Sequence, residues 1–459
     1  MDALLKQKVI AVFDIGKTNK KFFLFDTKYR EVYKEYITLT EIVDEDGFPT
    51  EDIYALQNWM KSLFDTMLLS DKFEITAVNF STYGASFIHL DENGKILTPL
   101  YNYLKPIPST ILDDFESTYG DISVETGSPK SAMLNSGMQL YWIKKSNPEV
   151  YKKIKYSLHL PQYLSYLFTG IPLNEYTSLG CHTALWDYQN KDYHSWVYQE
   201  EIHKILPPIV SAETSIHKVY NGKPIKIGVG IHDSSSALIP YMRSYKKPFI
   251  LVSTGTWSVS LNPYSKSLLT KADLLNNTIN YMKVNGEAVK SSKLLLGKEY
   301  QYQVNLLSNY FKVPSDFHKL VKFDDKIFKN IENNFADCFR WEYLSNQKKP
   351  IKTTITQTNF QEAYHQLMME LVQLQIKNIE ASKGVNKSIK NIFIDGGFSD
   401  NDVFIQLLTY YLKDLKVWST NSSLGSSLGA AIVISNKKLG AKFLKKKYVL
   451  KKHIPFILK

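Results

Sequence analysis

Cysteine is nearly absent: two residues in a chain of 459. Cys181 and Cys338 are too far apart in sequence for a metal-spaced pair, and two thiols build no disulfide framework. A reducing compartment fits, and both thiols read as buried or idle. No apolar run reaches membrane-spanning length, since the first, Val9–Phe13, is broken by Asp14. No basic, apolar and small-residue series marks the N-terminus, so a cytoplasmic location is expected. Short-period repeats and low-complexity tracts are also missing. Hydrophobic content of 44% with 22% charged residues excludes a disordered chain. A chain of this length accommodates two or three domains.

Acidic charge is in deficit, and the formal net charge is +11. Part of the excess sits in a tail, where Lys437, Lys438, Lys442, Lys445, Lys446, Lys447, Lys451 and Lys452 cluster. That run reads as a solvated surface helix end, so neither nucleic acid nor membrane is expected as a partner. The remaining excess suits anionic ligands such as nucleotides. The oligomeric state is left open, with a homodimer as one option.

What the chain does contain is one loop plan used twice. Val9–Asp26 (VIAVFDIGKTNKKFFLFD) is an apolar run, a polar bend around Gly16, Lys17 and Thr18, and a second apolar run. Phe249–Asn262 (FILVSTGTWSVSLN) repeats the plan around Gly255 and Thr256. Both read as β-hairpins whose bends offer free backbone N–H groups and hydroxyls. Two such bends facing each other would hold a chain of phosphates between them. Gly16-Lys17-Thr18 also ends like a P-loop, but Ala11 stands where the first glycine is required and strand follows Thr18, so a Walker-type loop is excluded.

Between the bends the pattern is that of an α/β protein. Ala77–Thr82 and Phe87–Leu90 read as strand, turn, strand, and Leu134–Lys145 and Pro161–Phe168 carry helical spacing. A strand at Ile225–Val229 leads through Gly230-Ile231-His232-Asp233 into a helix over Ser234–Tyr241. A domain boundary is expected near Pro240–Pro248. Beyond the second hairpin come a long helix over Phe360–Ser382, a strand at Lys390–Ile394, the pair Gly396-Gly397, a helix from Asp402, and a small-residue helix over Leu424–Ile434. The polar, lysine-rich stretch 266–357 shows no clear periodicity and reads as irregular, with inserted helices.

Phosphoryl transfer needs charge neutralisation, alignment and a metal more than covalent help. Asp14 ends a strand and offers a carboxylate to a Mg²⁺ or its water shell. Gly16 permits close backbone approach, and Thr18, Asn19, Lys17, Lys20 and Lys21 offer donors to phosphate oxygens. Thr254, Gly255 and Thr256 repeat that logic with neutral groups, and Trp257 reads as a core or interdomain aromatic. Asp233 stands at a helix start, which suits a helix N-cap and equally a general base that takes a proton from an attacking hydroxyl. His232 beside it would hydrogen-bond a substrate or simply pack. Gly396-Gly397 lies at a strand's carboxyl end before a helix, the usual ligand position in a parallel sheet.

These segments together resemble the FGGY carbohydrate kinases of the actin/hexokinase/Hsp70-like ATPase superfamily, in order and up to about Ser435. Thr82–Asp91 (TYGASFIHLD), Leu160–Gly170 (LPQYLSYLFTG), Asn174–Thr177 (NEYT), His232–Ala237 (HDSSSA) and Ser253–Ser258 (STGTWS) are the matching stretches, and they are most similar to the rhamnulokinase branch. The resemblance implies two ribonuclease-H-like (actin-like ATPase) domains with an interdomain cleft, spanning residues 1–242 and 243–459, the second ending in the basic tail 436–459. It implies Mg²⁺ at Asp14, ATP phosphates at Gly16, Thr18, Asn19, Lys21, Thr254, Gly255 and Thr256, and adenosine at Gly396-Gly397. Asp233 would be the catalytic base, and the sugar would lie against Tyr83, Gly84 and His232. The implied reaction is ATP-dependent phosphorylation of a ketose or deoxyketose of the L-rhamnulose or L-fuculose type. Kinases of other polyols or pentuloses (xylulose, erythritol, glycerol) and a non-catalytic ATP-dependent switch are the alternatives. Three positions depart from the family. Lys21 stands for an arginine and loses its bidentate fork, Tyr103 stands for an acid, and Phe398 stands for a third glycine.

Overall fold

The structure is a computed structural model that describes residues 6–344, 352–420, 424–435 and 437–456. Parts of the irregular stretch 266–357 and of the tail 436–459 therefore lie outside the described residues. Two seven-stranded mixed sheets organise the chain. In the first, β1 (Gln7–Ile15) and β2 (Lys20–Asp26) form the expected hairpin, and β3 (Glu31–Ile37) extends it antiparallel. On the other side β1 pairs parallel with β4 (Phe73–Thr82). β5 (Ser215–Tyr220) and β6 (Lys223–Gly228) complete that flank, and the short β7 (Ile231–His232) also pairs parallel with β4.

The second sheet repeats the plan. β8 (Phe249–Thr254) and β9 (Ser258–Asn262) form the hairpin, and β10 (Thr278–Met282) and β11 (Ala288–Leu294) extend it antiparallel. β8 then pairs parallel with β12 (Asn391–Gly396), which carries β13 (Lys416–Ser419) and the tail strand β14 (Lys451–Lys452). The doubled hairpin seen in sequence is thus a doubled sheet.

Strand alternation assigns each face. Val9, Ala11, Phe13 and Ile15 of β1 point to a cluster shared with the helices α1 (Ile53–Leu68) and α2 (Leu160–Thr169). Ile10 and Val12 point the other way, into a cluster containing residues of α3 (Asp233–Ser244) and of the second sheet. The outer face of the second sheet packs on α4 (Leu296–Phe311), α5 (Phe360–Lys383) and α6 (Asp402–Tyr411). The last long element, α7 (Gly425–Val433), belongs to the second half of the chain yet lies on β1, β4 and α3.

Three readings are corrected. Phe87–Leu90 does not pair with β4 but with Tyr156–His159 in a separate two-stranded sheet. The stretch taken as irregular supplies two strands of the second sheet, β10 and β11. Trp257 is not a core aromatic; 44% of its surface is exposed. The boundary expected after residue 242 falls in the last turn of α3.

The contact between α3 and α7 is unusually close. A Cβ on Gly429 would lie 1.8 Å from the carbonyl oxygen of Ser236. Asn79 Nδ2 donates to Ala430 O at 2.8 Å, and Lys226 and Arg243 donate to the terminal carbonyls of Ile434 and Ile432, a cationic cap on the helix's negative end. Gly429→Ala is therefore expected to force α7 away from α3 and to lower unfolding free energy by about 3 kcal/mol. A denaturant titration that gives the wild-type midpoint would contradict this contact.

Candidate functional site

The first bend is built by β1 and β2, and register decides where its side chains go. Asp14 pairs across the hairpin with Lys21, so both project from the same sheet face, the one that meets α7. Gly16 N–H closes the bend by donating to Asn19 O at 3.0 Å. Thr18 and Asn19 stand exposed at its tip. The other two lysines are not free for a phosphate. Lys20 is buried in an ion pair with Glu51 at 3.0 Å, and Lys17 pairs with Glu41 at 3.1 Å and with Glu51 at 3.6 Å. The expected donor role of Lys17 and Lys20 is corrected accordingly: they anchor the bend to the neighbouring hairpin.

Asp14 is buried, and one of its oxygens, Oδ2, accepts from Ser426 Oγ at 2.9 Å and from Ser427 Oγ at 2.7 Å. Oδ1 has no hydrogen-bond partner among the described residues. Burial raises its carboxyl above the ordinary aspartate range, the two serine hydroxyls and Lys21 oppose that rise, and the charge of Asp233 adds to it. Asp14 and Asp233 are thus electrostatic neighbours across the α3–α7 seam.

Asp233 is the first residue of α3. The N-cap position belongs to His232, so the capping role expected for Asp233 is not the one it has. Its Oδ1 accepts from Ser234 N at 2.5 Å and lies 3.2 Å from His232 Nε2. The positive end of α3 favours a negative charge there. His232 is buried; its backbone N–H donates to Thr177 Oγ1 at 3.0 Å, and its Nδ1 has no partner among the described residues. Burial pushes the imidazole below its ordinary pKa, with Asp233 pulling back, so the ring is held neutral around pH 7.

Tyr83 and Gly84 follow directly on β4 and close the same corner. A Cβ on Gly84 would stand 2.5 Å from Cys181 Sγ and 3.3 Å from His232 Cδ2, so only glycine lets these segments meet. Tyr83 is buried edge-on to Tyr103, with ring centroids 6.0 Å apart. Tyr103 in turn senses the charges of Asp233 and Glu51. Cys181 is buried, as the sequence reading allowed, and its Sγ lies 3.2 Å from His232 Nε2. Tyr281 of β10 approaches from the second sheet, 5.3 Å from the His232 ring.

The second bend carries the other wall. Thr254 is buried, and its hydroxyl donates to Asp395 O at 2.6 Å and accepts from Phe398 N at 3.0 Å. Gly397 N–H donates to Thr254 O at 2.8 Å. Gly396 has φ of 87°, and a Cβ there would meet Thr254 O at 1.9 Å, so this position requires glycine twice over. Thr254 thereby orders the Gly396-Gly397 turn, while Gly255 and Thr256 stay exposed. Asp233, Ser253, Asp395, Gly396, Gly425 and Ser426 line a cleft of about 200 Å³. A second cavity of about 620 Å³ is bordered by Gly255, Thr256, Gly297, Tyr300, Gly397 and Phe398. The adjacent residues Gly396 and Gly397 border one each, so the two spaces adjoin. Phe398 is a wall of the larger one, buried against Tyr300 and Phe404.

The arrangement brings a nucleotide-sized cavity, a polar cleft and two carboxylates together at the seam of two similar sheets. The family description "FGGY family of carbohydrate kinases, N-terminal domain" matches residues 9–238. The chain belongs to this family. It is 25% identical to a rhamnulokinase of Halalkalibacterium halodurans over 53% of this chain and 52% of that protein. It is 22% identical to an L-fuculokinase of Escherichia coli over 56% of each. The chain thus spans about half the length of the curated relatives it matches first. In fold it superimposes on a carbohydrate kinase from Novosphingobium aromaticivorans with a TM-score of 0.77 at 20% identity, covering 97% of this chain and 96% of that one. The actin-like, two-sheet FGGY fold expected from the sequence is the observed one.

Four site residues escaped the sequence reading. Ser426 and Ser427 fell within the small-residue helix, Asp395 stood unassigned between the expected strand and the glycine pair, and Cys181 was read as buried or idle, which leaves its contact with His232 unforeseen. The only signal for the serines was their position before Gly429 in a helix with no polar face.

Asp395 yields a pH test. Burial pushes its carboxyl up to about 6 from 3.8, against hydrogen bonds from Thr420, Tyr241 and Gly396 N–H. A raised carboxyl binds protons in the folded state first, so it favours the fold as pH falls from about 6 toward 4, and its buried charge costs stability above about 6. The melting temperature of the wild type relative to Asp395→Asn is expected to drop between pH 4 and 6.5 and then level off. A pH-independent difference would contradict a charge buried at this position.

Proposed function

We propose that the protein is an ATP-dependent sugar kinase that phosphorylates a ketose or deoxyketose, with L-rhamnulose and L-fuculose as the leading candidates. The observation that supports it best is the position of Asp233: a carboxylate at the positive end of α3, beside a neutral buried histidine, facing both the Tyr83–Gly84 corner and the glycine turn of the second sheet. The relatives' names support the deoxyketose. Tyr103 in place of the family's acid favours a changed sugar contact, which keeps xylulose-type and other polyol substrates as the second reading. The lobes are taken as residues 1–242 and 243–459, and a cytoplasmic location goes with the two unpaired thiols. Among the described residues, no helix is long and apolar enough to cross a membrane.

The residues fit a magnesium nucleotide. Among the described residues Asp14 Oδ1 has no hydrogen-bond partner, and no group of three or more His, Cys, Asp or Glu could hold a metal alone. That suits an ion bound through one carboxylate, water and substrate phosphates. Bound there, magnesium would neutralise phosphate charge. The chain's own work is separate from this. Thr18, Asn19 and Lys21 on one bend and Gly255 and Thr256 on the other align the phosphates. Gly396 and Gly397 bring backbone against the nucleoside, and Tyr83, Gly84 and His232 hold the sugar. Asp233 takes the proton from the attacking hydroxyl, and closure of the seam excludes water as a competing acceptor.

Asp233→Asn is expected to keep the fold and nucleotide binding while turnover falls about 10³-fold. The assay is coupled ADP release over a panel of ketoses and polyols. Wild-type turnover in the variant would remove Asp233 from the mechanism. ADP release by the wild type that no sugar stimulates would favour the switch reading instead.

A further inference from the structure

Strand β11 alternates between two environments. Leu294 and Ser292 face α5, where Asn378 donates to Ser292 Oγ at 2.9 Å. Val289 faces the opposite way, into the cluster between the sheets. By the same period of two, Lys293 shares the face of Val289. So does Tyr281, which pairs with Val289 and lies 5.3 Å from the ring of His232 and 6.1 Å from that of His182. Lys293 therefore looks across the seam at the sugar corner. Its ammonium also lies over the face of Trp257, 5.4 Å from the ring centroid, and Trp257 directly follows the exposed Thr256 of the second bend. One side chain thus touches the phosphate bend and borders the sugar corner.

Its charge is unmatched. No carboxylate among the described residues forms an ion pair or hydrogen bond with it. Lys17 and Lys20, which looked like phosphate ligands in sequence, are taken up by Glu41 and Glu51, and Lys21 faces Asp14. Among the described residues, Lys293 and Lys298 are cations of the second half with no carboxylate partner; Lys298 borders the larger cavity and lies over Tyr343, whereas Lys293 looks toward the sugar corner. Burial holds the Lys293 ammonium below the ordinary lysine range, with Cys181 opposing, and an arriving anion would favour the charged form.

We propose that Lys293 is a catalytic residue that binds the phosphoryl group in transit, pairing with its non-bridging oxygens as it moves from nucleotide to sugar. This rests on the kinase reading above. In the step, the bond from the γ-phosphorus to the β,γ-bridging oxygen breaks and a bond from the sugar hydroxyl oxygen to that phosphorus forms. The hydroxyl proton goes to Asp233, ADP keeps the bridging oxygen with its electron pair, and Lys293 stays protonated throughout. Lys21 and Lys293 then approach the phosphates from opposite sheets, which ties charge neutralisation to closure of the seam.

The test uses the wild-type chain and does not need an identified sugar. Lys293 is labelled with a water-soluble amine-acylating reagent and its modification is read by peptide mass spectrometry. The states compared are free protein, Mg·ADP, Mg·ADP with aluminium fluoride as a mimic of the phosphoryl group, and gluconate as a sugar carboxylate. Labelling is expected to fall severalfold with Mg·ADP–aluminium fluoride and to change little with Mg·ADP or gluconate. Equal labelling in all states, or protection by gluconate alone, overturns the proposal, the second pointing to a sugar acid as the anion held. In parallel, Lys293→Met is expected to lower kcat about a hundredfold with KM for the ketose little changed, and Lys293→Arg to recover part of the loss. A kcat in Lys293→Met within threefold of wild type, with the fold intact by circular dichroism, also overturns it. Failure of the kinase reading has a different signature: no sugar stimulates ADP release in the wild type, whatever the labelling shows.

Discussion

Two serine hydroxyls on one buried carboxylate hold the site in register. Ser426 and Ser427 lie in the first turn of α7, an element of the second half of the chain, and both donate to Asp14 at the end of the first sheet's first strand. The bonds form where α7 sits on α3 with no side chain between Gly429 and the backbone of Ser236. Asp233 begins α3, so the same approach that brings the serines to Asp14 fixes the distance between the two carboxylates. Remove the close packing and Asp14, Asp233 and the glycine turn lose their common frame. A buried acid with hydroxyl partners is also poised electrostatically. Its burial cost is offset only in part, and a cation arriving at the unshared oxygen would complete the compensation.

The second sheet is stabilised differently from the first. β1 and β2 are packed by Phe13, Phe22, Phe23 and Phe25. The outer face of β9 and β11 instead meets α5 through buried polar contacts. Ser258 donates to Gln375, Ser260 to Asn378, and Asn262 to the Ser382 carbonyl. Each of these groups is satisfied by a partner more than a hundred residues away, which makes the face specific without making it apolar.

That difference explains what was legible in the sequence. Apolar alternation exposed both hairpins, β4, β6 and β12, and helical periodicity exposed α2, α5 and α6. β10 and β11 were missed because serine, lysine and asparagine occupy the positions where alternation would show, and their burial is decided by α5. The local reading saw glycine, threonine and lysine in the first bend and assigned all three lysines to phosphate. Only the fold, by folding Glu41 and Glu51 back over the bend, shows that two of them are spent. Asp14, Asp233 and the Gly396-Gly397 pair drew attention in the sequence because each follows or ends an apolar strand run, where period and turn chemistry coincide, while Tyr83 and Gly84 were named only through the family resemblance. Ser426, Cys181 and Lys293 owe their surroundings to distant neighbours and carry no local signal.

The central claim is that the two bends, Asp14 and Asp233 address one phosphate chain and one sugar in a single seam. The most direct measurement is a crystal structure with a ketose and a non-hydrolysable ATP analogue bound. The account predicts the analogue's terminal phosphorus between Thr256 and Asp14, with a sugar hydroxyl in line and within hydrogen-bond reach of Asp233. A nucleotide seated away from the Gly396-Gly397 turn, or a sugar whose hydroxyls all lie beyond the reach of Asp233, would contradict it.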